Sequence, residues 1–196
     1  WLNELIGYTS LIPIVLPYRL AQETHLMHHS HTNDPLKDPD YSVKADNLSN
    51  ALWVNLFTNR HKDLPYLEFL EESSVKEKVI TEALITRISY WLILVLFVWA
   101  GYGVEVMLIW WLPRLIGSGY IQMTLAWAPH YPMEEQGRYR DTRSFKAALG
   151  TFLTLGMEYH IIHHLHPAIP LNLNPAAYRA LKPILEERNC RLDNNL

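Results

Sequence analysis

The apolar residues of the chain are concentrated in residues 80–128, and the segments on either side alternate between apolar and polar stretches. Within the block, the residues from about 82 to 100 predict one long helix, "GYG" predicts a turn, and the following apolar run predicts a second helix kinked at Pro113. Each helix is long enough to cross a bilayer core, which needs about 20 residues. The pattern predicts a transmembrane hairpin at about 82–127, with a buried hairpin in a soluble protein as the alternative.

Residues 2–21 are also apolar, but Pro13 and Pro17 interrupt any helix before it reaches the length of a membrane span. We expect this segment to be interfacial or buried. Residues 32–79 are polar: "TNDPLKDPD" is typical of turns, and residues 63–80 predict one or two short amphipathic helices.

Two seven-residue windows, "HLMHHSH" at 25–31 and "HIIHHLH" at 160–166, hold eight of the ten histidines at identical offsets. On a helix, residues i, i+3 and i+4 share one face, so His25, His28 and His29 converge, as do His160, His163 and His164. Clustered imidazoles repel one another when protonated, so the arrangement favours neutral rings that share a metal ion. Six such ligands exceed the four of one structural zinc site and indicate two metals.

Other polar residues near the two windows are weaker candidates. His31 and His166 fall off the shared face and are expected to support the site or cap a helix, and His61 matches no pattern. Glu23 and Glu158 each precede a window by two residues and could orient the histidines of the opposite window, while exposure to solvent is the alternative. Asp34, Asp38 and Asp40 follow the first window.

Composition limits the class of protein. The chain has 196 residues and a formal net charge of -3, which gives no electrostatic support for nucleic-acid binding. Its single cysteine, Cys190, excludes a disulfide framework and a cysteine-based metal site, so histidine must carry the metal chemistry. The length predicts one domain over residues 1–196.

Basic residues predict the orientation of the hairpin. Lys76 and Lys78 precede it, several basic residues between 138 and 146 follow it, and the turn at 101–105 has none. By the positive-inside rule, both ends and therefore both histidine windows lie on the cytoplasmic side. The fold expected is all-α: an integral membrane helical hairpin with a cytoplasmic helical cap that carries the histidine windows.

The segments "HLMHHSHTNDPLKDPD" and "EYHIIHHLHPAIP" resemble the second and third histidine boxes of the membrane fatty acid desaturase and hydroxylase superfamily. The resemblance covers most of the chain, since the hairpin and "LHPAIP" also fit. It implies two irons held by the six histidines of the shared faces and by His130 in "WAPHYP". No first box precedes the second, so the resemblance implies a chain truncated at its N-terminus that lacks some iron ligands.

The resemblance also implies a function. It points to an oxidoreductase that uses O₂ to desaturate a fatty acyl lipid, with a ferredoxin or cytochrome b5 type protein as electron donor. The alternative within the superfamily is a carotenoid or fatty acid hydroxylase or ketolase. A metal-binding membrane protein without catalysis is the alternative from another class.

Overall fold

The computed structural model describes residues 1–58, 75–147 and 150–194. The chain is mostly helical and divides into two compact units. The first, here called the hairpin unit, comprises Trp1–Met27 and Arg60–Gly119; the second, the histidine unit, comprises His28–Asn59 and Tyr120–Leu196.

The apolar N-terminal segment forms helix α1 (Leu2–Leu11), and after a break helix α2 (Tyr18–His31) begins. The break contains Pro13 and Pro17, which supply no backbone N–H to continue a helix. The two prolines therefore divide the segment as the sequence predicts.

Two helical limbs joined by a tight turn form the hairpin. The first limb is α4 (Lys76–Trp99). The helix that precedes it in the chain, α3 (Leu48–Trp53), belongs to the histidine unit. Gly101 adopts φ +92° in the turn, a conformation that favours glycine. The second limb consists of α5 (Gly103–Val106), a π-helical segment (Met107–Trp111), α6 (Leu112–Ile121) and a second π-helical segment (Gln122–Trp127).

The first π-helical segment ends directly before the turn that contains Pro113. Proline gives no N–H to the carbonyl four residues earlier, and a wider turn absorbs that loss without ending the helix. The kink expected at Pro113 therefore takes the form of a π-helical insertion. The first limb was predicted to begin at about residue 82, whereas α4 begins at Lys76.

Inside the hairpin unit, Val15, Tyr90 and Leu94 are buried, and Val106 and Trp110 pack against them. Many other large apolar side chains of the two limbs, such as Trp99 and Ile109, are exposed. Within the described residues, α4 is the one helix long and apolar enough to cross a membrane, with a mean hydropathy of 1.7. The hairpin is thus observed, while its two membrane crossings stay a prediction.

The histidine unit contains several short elements around two cores. They are a 3₁₀ helix (Pro39–Val43), α3 with the π-helical Val54–Thr58, strand β1 (Arg143–Phe145), α7 (Thr151–Thr154), a 3₁₀ helix (Met157–Tyr159), α8 (His160–Leu165), a 3₁₀ helix (Leu171–Leu173), α9 (Asn174–Glu187) and strand β2 (Arg191–Asn194).

Strands β1 and β2 pair in parallel, with Arg143 opposite Arg191. They are a small departure from the all-α expectation. Three or four residues give no readable period-2 pattern, so these strands leave no signal in the sequence.

Two hydrophobic clusters stabilise the histidine unit. One centres on Val43, Trp127 and Met133. The other buries Ile161 and Ile162 of α8 against Tyr178 and Leu185 of α9, and so fixes the helix that carries the second histidine window. Most of the segment 63–80, for which short helices were predicted, lies outside the described residues, as does His61. From Lys76 onward this segment is part of α4.

Candidate metal centre

Three parts of the chain bring histidines together in the histidine unit. Helix α2 ends with one group, α8 supplies another, and the turn after the second π-helical segment supplies a single residue. The residues are His28 and His29 on α2, His130 in the turn, and His160, His163 and His164 on α8.

Four of these side chains form a tight cluster. The ligand nitrogens of His28, His130, His160 and His164 all lie within 4.8 Å of one another. His28, His130 and His160 are at most 2% exposed. The Nε2 atoms of His28 and His130 are 3.2 Å apart, and those of His160 and His164 are 3.1 Å apart.

The hydrogen bonds of the Nδ1 atoms of His28 and His130 show which nitrogen of each ring carries the proton. His28 Nδ1 lies 2.9 Å from Asp38 Oδ1, and His130 Nδ1 lies 3.1 Å from the backbone oxygen of Asp141. A carbonyl oxygen only accepts, so His130 Nδ1 donates, and the ionised Asp38 carboxylate likewise accepts from His28. In the neutral rings, both Nε2 atoms therefore carry a lone pair.

Two lone pairs facing each other at 3.2 Å cannot form a hydrogen bond, whereas a metal ion between them satisfies both. Metal–nitrogen bonds of 2.0–2.1 Å in a tetrahedral site place the ligand nitrogens about 3.3 Å apart. The spacings of the His28–His130 and His160–His164 pairs, 3.2 and 3.1 Å, are close to that value. The donor set, all imidazole, suits iron, zinc, copper or nickel.

Burial favours the neutral form of two members of the cluster, and metal ligation requires that form. Burial lowers the pKa of His130 and of His164 well below the usual value, and neighbouring histidines lower both further. His28 differs: burial lowers its pKa, but the Asp38 hydrogen bond and the charge of Asp40 outweigh this, and the net pKa is raised. A carboxylate behind a histidine raises its basicity as a ligand.

A second pair lies beside the cluster. The Nε2 atoms of His29 and His163 are 3.0 Å apart, and the His29 ring stacks on His164 with centroids 4.1 Å apart. His25 lies on α2 in the hairpin unit. That His25 is a metal ligand stays a prediction.

The weaker candidates lie in different surroundings. His31 and His166 are exposed. Glu23 is half-buried on α2, and Glu158 is buried and accepts hydrogen bonds from Thr151 and Thr154. No sequence pattern selects Asp141, because its contact with His130 is made by its backbone.

A cavity of about 350 Å³ opens beside the histidines. Its lining is largely polar and comprises His29, Ser30, Thr32, Gln136, Gly137, Arg138, Asp141 and His164. Burial raises the pKa of Asp141 to about 6. The cavity gives small polar molecules a route to His29 and His164.

Comparison with known proteins defines the class. The family model described as fatty acid desaturase matches residues 1–193, and the chain belongs to this family. It is 22% identical to fatty acid conjugase FAC2 A and 23% identical to fatty acid conjugase FAC2 B, both of Calendula officinalis, over 94% of its length. It spans 60% of the length of these relatives. No solved structure matches the chain significantly.

Proposed function

We propose that the protein is a membrane-bound di-iron oxidoreductase that uses O₂ and electrons to desaturate a fatty acyl lipid. The observation that carries the proposal is the facing Nε2 atoms of His28 and His130 at 3.2 Å, in a chain of the fatty acid desaturase family. The names of the two relatives favour a fatty acyl substrate over a carotenoid.

In this proposal the buried cluster of His28, His130, His160 and His164 holds one iron. His29 and His163 bind the other, and the resemblance of the histidine boxes adds His25 to that position.

When bound, the irons supply the reduction of O₂ that removes hydrogen from an unactivated C–H bond. The balance is one –CH₂–CH₂– unit, O₂, two electrons and two protons giving one –CH=CH– unit and two waters. The chain itself favours the neutral form of His130 and His164 by burial, orients His28 through Asp38 and His130 through the Asp141 carbonyl, and buries His28, His130 and His160 away from solvent.

The hairpin provides the membrane contact. A groove of about 620 Å³ on it is lined by apolar side chains, including Trp91, Trp99 and Trp111. Exposed apolar surface of this extent fits a lipid environment. The basic residues at both ends of the hairpin favour placing the histidine unit on the cytoplasmic side, where a ferredoxin or cytochrome b5 type donor would deliver electrons.

The test is expression in a host that supplies such a donor, followed by mass spectrometry of the host's lipids. Desaturation removes two hydrogens from an acyl chain, whereas the alternative, hydroxylation, adds one oxygen. Product formation should require O₂ and should disappear in the His163→Ala, His164→Ala double variant. Metal binding without any O₂-dependent product would favour a non-catalytic metal-binding protein instead.

A further inference from the structure

Asn33 follows the first histidine window and is 2% exposed. Its backbone adopts φ +63°, in the left-handed region, where asparagine is tolerated better than most residues. This conformation turns the chain at the end of α2, so that the backbone and the side chain of Asn33 make separate contacts.

The backbone N–H and the side-chain amide of Asn33 contact the Asp38 carboxylate and the Asp141 carbonyl, the two groups that orient buried histidines. Its backbone N–H donates to Asp38 Oδ2 at 2.8 Å, and the other oxygen of that carboxylate accepts from His28. Its side-chain Nδ2 donates to the backbone oxygen of Asp141 at 2.8 Å, and the same oxygen accepts from His130.

The orientation of the Asn33 amide is fixed by its partners. Nδ2 also donates to the backbone oxygen of Glu135 at 2.7 Å, and two carbonyl oxygens can be satisfied only by an NH₂ group. The Oδ1 atom is buried without a hydrogen-bond partner among the described residues. An unsatisfied buried acceptor opposes folding, so the amide carries a cost in stability at this position.

We propose that Asn33 is a positioning residue that fixes His28 and His130 relative to each other at the buried metal position. The two histidines are 102 residues apart in the chain, and their acceptors lie in two different loops. Asn33 joins those loops through one residue, so the two Nε2 atoms keep a common geometry. The inference rests on the proposed function, because it requires a metal at this position.

The test uses Asn33→Gly, which keeps access to positive φ and the backbone N–H but removes the amide. Asn189→Gly is the matched control, because Asn189 has φ +55° and is exposed just beyond the end of α9. The isosteric Asn33→Asp is a second variant: it replaces the donor NH₂ with an oxygen that repels both carbonyls. Circular dichroism of the metal-free proteins establishes which variants fold.

The probe is Co²⁺, which is titrated into the purified protein in detergent and into each variant. The readouts are the dissociation constant and the ligand-field absorption spectrum of the bound Co²⁺. All are measured in a His163→Ala background to isolate the buried position. We expect Asn33→Gly or Asn33→Asp to weaken Co²⁺ binding by about 10–100-fold and to change the spectrum, with Asn189→Gly unchanged.

A folded Asn33 variant that keeps the affinity and spectrum of its background protein would overturn the positioning role while leaving the metal site intact. Absence of Co²⁺ and iron binding in the unaltered protein would instead overturn the proposed function, and the positioning role with it. Equal weakening in Asn33→Gly and Asn189→Gly would also overturn the role, since it would reflect the loss of side chain at a left-handed position.

Discussion

The Nε2 atoms of His28 and His130 face each other at 3.2 Å while the Nδ1 atom of each ring is directed at an oxygen acceptor. In the neutral rings this arrangement leaves two lone pairs opposed in a buried space. Protonation of His28, whose net pKa is raised, would let its Nε2 donate to His130, but burial opposes the resulting charge and also lowers the pKa of His130. A bound metal relieves the opposition of the lone pairs without that cost, and this is the basis of the predictions below.

His130→Ala should remove metal from the buried position, because the cluster loses a fully buried ligand that no neighbouring side chain replaces in the same place. Metal analysis of the purified variant should show a loss of about one iron per chain. His166→Ala is the control, since His166 is exposed and belongs to neither histidine group, and it should retain the iron content of the unaltered protein. Equal iron in the two variants would contradict the assignment of His130.

Replacing α8 histidines one at a time should separate the two metal positions. His160 belongs to the buried cluster, and His163 pairs with His29, so each alanine variant should lose a different iron. The Mössbauer spectrum of each variant should keep one signal, and the retained signals should differ. Identical residual spectra would show that the six histidines do not divide in this way.

Glu158→Gln should destabilise the histidine unit. The Glu158 carboxylate is buried and accepts from the hydroxyls of Thr151 and Thr154, whereas the NH₂ group of glutamine cannot accept. Loss of one acceptor in a buried site should lower the free energy of unfolding by about 1–3 kcal/mol. Denaturant unfolding in detergent measures the change, and the exposed Glu134→Gln should leave it nearly unaffected.

Trp110→Phe should weaken the attachment of the N-terminal segment to the hairpin. Trp110 Nε1 donates to the Pro13 carbonyl at 3.1 Å, an oxygen that cannot receive a helical hydrogen bond because Pro17 has no N–H. Phenylalanine keeps the ring packing and removes the donor, at a cost of about 1 kcal/mol. The neighbouring Trp111→Phe is the matched control in thermal unfolding; a smaller loss in Trp110→Phe than in Trp111→Phe would contradict this role.

Much of the fold could be predicted because long, repeated patterns encode it. The apolar limbs around Gly101 predicted the hairpin, and Pro13 and Pro17 predicted the break between α1 and α2. The boundaries were less accurate, because α4 extends to Lys76 through polar residues that the pattern assigned to a separate amphipathic helix. The strands β1 and β2 were not predicted, since they depend on a pairing between distant segments.

The grouping of the window histidines could be predicted because imidazoles at i, i+3 and i+4 share one face of a helix, while metal ligation by them stays a prediction. His130 required the family resemblance, since a single histidine in a turn carries no spacing signal. The contacts of Asn33 and of the Asp141 carbonyl could not be predicted, because they arise where separate loops meet and one of them involves backbone alone.

The most direct test of the central claim is Mössbauer spectroscopy with metal analysis on the purified, ⁵⁷Fe-labelled protein, beside its His163→Ala, His164→Ala double variant. We expect about two irons per chain, coupled to each other in the unaltered protein and lost in the variant. One zinc per chain, or no metal in a correctly folded protein, would contradict the di-iron site and with it the proposed oxidoreductase.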